Sequence, residues 1–154
     1  MKSGRTDSVS RVIKASPQTI YKAFLDPEAW ASWLPPDGMS GHIDRFDPRE
    51  GGTYRMVLTY DEAEHTGGKT SVNSDVVEGR FIELVPNERV VHVVEFESDD
   101  PAFSGEMKMI WSLAAAPGGT EVTMIAENVP TGIRPEDHEM GMSSTLANLA
   151  ACVE

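Results

Sequence analysis

The spacing of hydrophobic and polar positions changes period along the chain. In TYRMVLTY (Thr53–Tyr60), Tyr54, Met56, Leu58 and Tyr60 fall on one side, and Arg55, Val57 and Thr59 on the other. A period of two predicts a strand with one buried face. The same alternation returns in 105–116, where Met107, Met109, Trp111 and Leu113 share a face. It returns again in 120–129, with Val122, Met124 and Ala126 together. Residues 8–15, 40–46, 76–85 and 89–97 are short apolar runs bounded by Gly, Pro, Asn and Asp, and also read as strands. PNE after Val85 and PGG after Ala116 are tight turns, and the polar, Gly-rich 61–75 predicts a long exposed hairpin loop.

Elsewhere the period is helical. Ser16-Pro17 supplies an N-cap and a proline at the first helical position, opening a helix over 17–25 with Ile20 and Phe24 on one side. Asp26-Pro27 repeats the signal and opens a second short helix. That helix carries Trp30 and Trp33, three apart and so on one face, before Pro35-Pro36 stops it. From Pro135, Met142, Leu146, Leu149, Ala150 and Val153 form one apolar stripe, with Glu136 and Asp137 at the positive end of the helix dipole. Gly141 lies inside this helix, where it is expected to allow a close approach or a bend.

The order is strand, two short helices, six strands and a long helix. Short connections imply an antiparallel meander, and one amphipathic helix can cover one of its faces. The expected class is α+β: a curved antiparallel sheet around the C-terminal helix, with a gap between them. The short helix with Trp33 is expected to close the mouth of that gap as a lid or rim.

Composition narrows the function. With 154 residues the expectation is one domain over 1–154. Twenty-five acidic against 13 basic residues give a net charge of −12, which repels nucleic-acid backbones and anionic membranes. No apolar run has membrane-spanning length, and the first residues lack the apolar stretch of a secretory signal, so a cytoplasmic protein is expected. The single cysteine, Cys152, reads as a small apolar residue on the last helix. His42, His65, His92 and His138 are scattered and no CxxC is present, so neither a metal nor a cofactor is expected.

Several strings in this order, RVIKASPQTIYKAFLDPEAWASWLPP, DRFDPREGGTYR, VVEGRFIELVPNERVV and GMSSTLANLAACVE, carry a resemblance. Together they span 8–153 and resemble the activator of heat-shock-protein 90 ATPase homologue family, within the SRPBCC (START-like) superfamily. The resemblance implies a helix-grip fold, often around a hydrophobic cavity, and it implies no shared catalytic set. Two positions depart from the family's habit. Trp33-Leu34 stands where two tryptophans are common, and Gly141-Met142 where Gly-Trp is common.

The candidate ligand-binding residues are Trp33, Tyr54, Met56, Leu58, Phe81, His92, Phe96, Met109, Trp111, Met124, Met142 and Leu146. They are mostly apolar, and the methionines suit an adaptable pocket as well as ordinary core filling. His92 shares a face with Val90, Val94 and Phe96. It is expected to point outward or to satisfy a hydrogen bond, and if inward, to orient a ligand together with Tyr54. Glu78 and Arg80 share a face of the preceding strand and can pair, most simply on a solvated surface. The expected function is binding of a small hydrophobic molecule. A co-chaperone acting on a heat-shock-protein 90 ATPase is implied by the resemblance alone. A cyclase-like or dehydratase-like enzyme stays open, without a catalytic residue to name. Edge strands and the 61–75 loop offer surfaces for a homodimer, which the sequence does not decide.

Overall fold

A computed structural model describes residues 5–33, 39–60, 74–96, 106–130 and 132–154, without the side chains of Met39, Tyr60, Ser74, Asp75 and Phe96. The elements follow the order β1 (Thr6–Ile13), α1 (Pro17–Phe24), α2 (Pro27–Trp33), β2 (Met39–Phe46), β3 (Thr53–Tyr60), β4 (Ser74–Val85), β5 (Arg89–Phe96), β6 (Met107–Ala116), β7 (Gly119–Glu127) and α3 (Pro135–Val153). The strands form one seven-stranded sheet in the order β1-β7-β6-β5-β4-β3-β2, and every neighbouring pair is antiparallel. This is the helix-grip arrangement, a curved antiparallel sheet with a long C-terminal helix.

Local chemistry explains the elements. Ser16 Oγ accepts from the Thr19 amide at 3.2 Å and caps α1, and Asp26 Oδ1 accepts from the Glu28 amide at 3.0 Å at the start of α2. In the β4–β5 turn Asn87 takes φ 64°, a left-handed conformation that asparagine tolerates well. The first strand begins earlier than its sequence suggests and ends at Ile13. Thr6 and Asp7 find partners in Glu127 and Ala126 of β7, while the chain after Ile13 turns toward the Ser16-Pro17 cap. Strand β4 also starts early, at Ser74, paired with Thr59, and residues 61–73 of the expected loop lie outside the described residues.

The core lies on one face of the sheet. It gathers Ile13, Tyr54, Met56, Phe81, Val90, Met109, Trp111 and Met124 from the strands, and Ile20, Phe24, Trp30, Trp33, Met142, Leu146 and Leu149 from the helices. The predicted stripe of α3 is the face that packs: Met142, Leu146, Leu149 and Ala150 are buried and Val153 is packed against the same cluster. The backbone of α3 comes closest to β1, α2 and α1 rather than to the middle of the sheet. Large side chains span the distance between α3 and the central strands. No helix among the described residues is long and apolar enough to cross a membrane.

Gly141 does not do what its position suggested. A Cβ built there meets nothing within 4 Å, and α3 runs through it without interruption, so no neighbour requires a glycine. Gly141→Ala is therefore expected to stabilise the protein by about 0.5–1 kcal/mol, through the lower backbone entropy of the unfolded chain. Urea unfolding checks this, and a loss of stability would show a contact that the open space does not reveal.

Candidate functional site

Seven rings on α1, α2 and the central strands meet in the interior. Helix α2 points both of its indoles inward, and Trp30 and Trp33 are each 0% exposed. Phe24 packs edge-on against Trp33 at 5.0 Å and Trp111 at 5.1 Å, and Trp33 meets Trp111 at 5.5 Å. On its other side Trp30 lies against Tyr54 at 5.6 Å, Phe81 at 5.8 Å and His92 at 5.5 Å. Edge-to-face contacts of this kind add to the gain from area burial alone. Trp33 also donates from Nε1 to the Ala23 carbonyl at 3.1 Å, which ties α2 to the end of α1. Trp33 thus sits inside the core rather than at a solvent-exposed rim.

A line of polar atoms crosses this apolar interior. His92 is 2% exposed and faces inward from β5. Its Nδ1 lies 2.8 Å from the Tyr54 hydroxyl, and its Nε2 lies 2.9 Å from Trp111 Nε1. An indole nitrogen can only donate, so Nε2 must be the unprotonated acceptor. A neutral imidazole carries one proton, which this partner set assigns to Nδ1. The Nδ1–H then donates to the Tyr54 oxygen. Register brings the three together: His92 pairs with Met109 of β6 and Phe81 of β4, while Tyr54 of β3 lies opposite Gly79. A Cβ on Gly79 would fall inside the Tyr54 ring, so the missing side chain is what lets Tyr54 lie flat over the sheet toward His92.

Burial sets the charge state. Desolvation lowers the His92 pKa to about 3 and raises that of Tyr54. Both groups are neutral over the physiological range. The unfolded chain, with an ordinary histidine pKa of about 6.5, binds a proton that the folded chain refuses. Stability from this residue is complete above about pH 6.5 and is lost as pH falls toward the folded value of about 3. Relative to His92→Gln, the wild type is expected to lose on the order of 3 kcal/mol between pH 6.5 and pH 4. Urea unfolding of both proteins across that range tests this, and parallel curves would contradict it.

Among the described residues, one donor in this interior lacks an acceptor: Trp30 Nε1 is buried without a hydrogen-bond partner. Leaving a buried donor unpaired costs about 1–3 kcal/mol.

Of the residues singled out from the sequence, Trp33, Tyr54, Met56, Phe81, His92, Met109, Trp111, Met124, Met142 and Leu146 are all buried in the same core. Leu58 is half-buried at its margin, and the side chain of Phe96 lies outside the described residues. Sequence reading omitted Trp30, Phe24 and Gly79 from that set. A glycine inside a predicted strand is a known sign of close approach, and that signal was available for Gly79. The Glu78 carboxylate lies on the solvated outer face and pairs with Arg45 of β2 at 3.4 Å and Arg55 of β3 at 3.9 Å. Two open depressions also lie outside the core. One runs along α3 past Pro135, Glu139, Met140 and Ser143, and the other lies among Arg45, Glu78, Arg80 and Glu95 on the outer face. Cys152 is exposed on α3. Among the described residues no three metal-ligating side chains gather.

Comparison with known proteins agrees with this fold. A crystal structure from Chromobacterium violaceum is similar, with 36% identity and a TM-score of 0.84, over 97% of this chain and 96% of that one. One from Rhodobacter sphaeroides shares the fold at 23% identity and TM-score 0.75, over 97% and 92%. One from Nitrosomonas europaea shares it at 20% and 0.71, over 99% and 96%. No curated protein matches the sequence. The profile of the family described as "Activator of Hsp90 ATPase homolog 1-like protein" matches residues 14–154, and the chain belongs to that family.

Proposed function

We propose that the protein binds a small, mostly apolar molecule between the sheet and α3, with the Trp33 indole of α2 as the plug that the guest displaces. The observation that carries this reading is the unpartnered Trp30 Nε1–H beside the Tyr54–His92–Trp111 line, in an interior otherwise built of rings and aliphatic groups. A core selected for stability alone has no use for an orphaned donor that costs about 1–3 kcal/mol. Such sites are mostly apolar, with a few placed polar groups that orient the ligand.

The packing supports the same element as the one that moves. Helix α2 has seven residues, and isolated helices are marginal below about 12–15 residues. It is therefore held by its buried indoles and by the Trp33–Ala23 hydrogen bond. A guest burying comparable apolar area, at about 25 cal/mol per Å², can replace what the Trp33 indole contributes. The methionines of the core, Met56, Met109, Met124 and Met142, are flexible enough to repack around it. The test is a panel of apolar metabolites screened by native mass spectrometry and thermal unfolding. At least one is expected to bind one to one and raise the midpoint, and a panel without binders would remove the reading.

The description of the family favours a second reading, stimulation of a heat-shock-protein 90 ATPase. The ATPase rate of a bacterial homologue, measured with and without this protein, decides it; an unchanged rate removes it. Acid–base catalysis by His92 has less support, because its two ring nitrogens are held by a phenol and an indole and burial keeps it weakly basic.

A further inference from the structure

The polar atoms of the interior are unbalanced in one direction, and this specifies the guest. Trp30 Nε1 is a donor only, is fully buried and has no acceptor among the described residues. Trp111 spends its indole hydrogen on His92 Nε2. That bond places the imidazole proton on Nδ1, so the Tyr54 oxygen accepts from His92 and the phenolic hydrogen is left over. Tyr54 is 1% exposed, and its ring touches that of Trp30 at a centroid distance of 5.6 Å. Among the described residues, the two adjoining rings therefore carry two unspent donors. The imidazole beside them has no lone pair free.

Charge narrows the class further. The buried polar side chains among the described residues are His92, Thr120 and Thr145, and none is a cation. A carboxylate entering this interior would lose its hydration with no buried positive charge to replace it, and an ammonium group would bring more donors to a place already rich in them.

We infer that the interior recognises an uncharged molecule through a hydrogen-bond acceptor, a ketone, ester or amide oxygen, held by Trp30 Nε1–H and the Tyr54 hydroxyl. The inference rests on the ligand-binding reading above and specifies its chemistry. Both donors are neutral and fixed by the surrounding rings, so an acceptor oxygen replaces an unsatisfied state rather than a set of bonds to water. That asymmetry makes the gain per bond larger than for an exposed pair.

Matched naphthalenes test it. Isothermal titration compares 2-acetonaphthone, 2-ethylnaphthalene and 2-naphthoate, which differ in the acceptor and its charge while sharing the apolar body. The wild type is expected to bind the ketone about tenfold more tightly than the ethyl compound, and the carboxylate more weakly than the ketone. In Trp30→Phe and Tyr54→Phe, the preference for ketone over ethyl compound should shrink to about threefold or less while the ethyl compound still binds. A readout without variants uses the wild-type indole N–H resonances. That of Trp30 should lie further downfield with the ketone than with the ethyl compound, and that of Trp111 should be the same with both. Equal affinity for ketone and ethyl compound would overturn the inference while leaving apolar binding intact. So would a preference that survives both substitutions. Binding of none of the three would overturn the ligand-binding reading and the inference with it.

Discussion

Trp33→Ala is expected to lower the unfolding free energy by about 3–5 kcal/mol, among the largest single effects in the chain. The indole is 0% exposed and touches Phe24 at 5.0 Å and Trp111 at 5.5 Å, so its removal leaves a hole bounded by rigid rings. Rigid neighbours collapse poorly into such a hole, which puts the cost toward the upper part of that range. The substitution also frees the Ala23 carbonyl and cuts the hydrogen bond that ties α2 to α1. Trp33→Phe keeps most of the ring volume and loses that bond, so it should cost about 1–2 kcal/mol. Urea unfolding followed by far-ultraviolet circular dichroism measures both. If the two variants were equally stable, the account of α2 as an anchored plug would be wrong.

Gly79→Ala is the second large effect, although it adds one methyl group. The new Cβ would occupy the space of the Tyr54 ring near its hydroxyl. Tyr54 cannot step aside easily, because Trp30, Phe81 and His92 surround it at 5.6, 5.4 and 5.7 Å. Overpacking of this kind costs about 1–3 kcal/mol, and losing the Tyr54–His92 hydrogen bond adds about 1 kcal/mol. If Tyr54 is the cause, a second substitution, Tyr54→Leu, should make Gly79→Ala nearly neutral. A double-mutant cycle in urea reads that coupling, and additive costs would contradict it.

Much of the fold was legible because its signals are local and strong. The alternation of Thr53–Tyr60 marks β3 to the residue, and Ser16-Pro17 and Asp26-Pro27 mark the starts of α1 and α2. The apolar stripe from Met142 to Val153 identifies the face of α3 that packs. What could not be read depends on partners distant in sequence. The early start of β1 comes from its pairing with β7, and the orientation of His92 from which face of the sheet the helices cover. The hydrogen bonds of His92 join positions on β3, β5 and β6, and no spacing along the chain reports them. The expected cavity is the clearest difference. Periodicity shows that a surface is apolar, but not whether indoles from α2 occupy the space in front of it. In this structure they do.

The central claim is that this filled interior opens for a guest, and a crystal structure of the protein grown with 2-ethylnaphthalene tests it most directly. The account predicts the naphthalene among Tyr54, Trp111 and Met142, with Trp33 displaced from its present position and Trp30 still beside Tyr54. A structure in which all three tryptophans keep their places, and the compound is absent or sits only in the groove along α3 beside Met140, would contradict it.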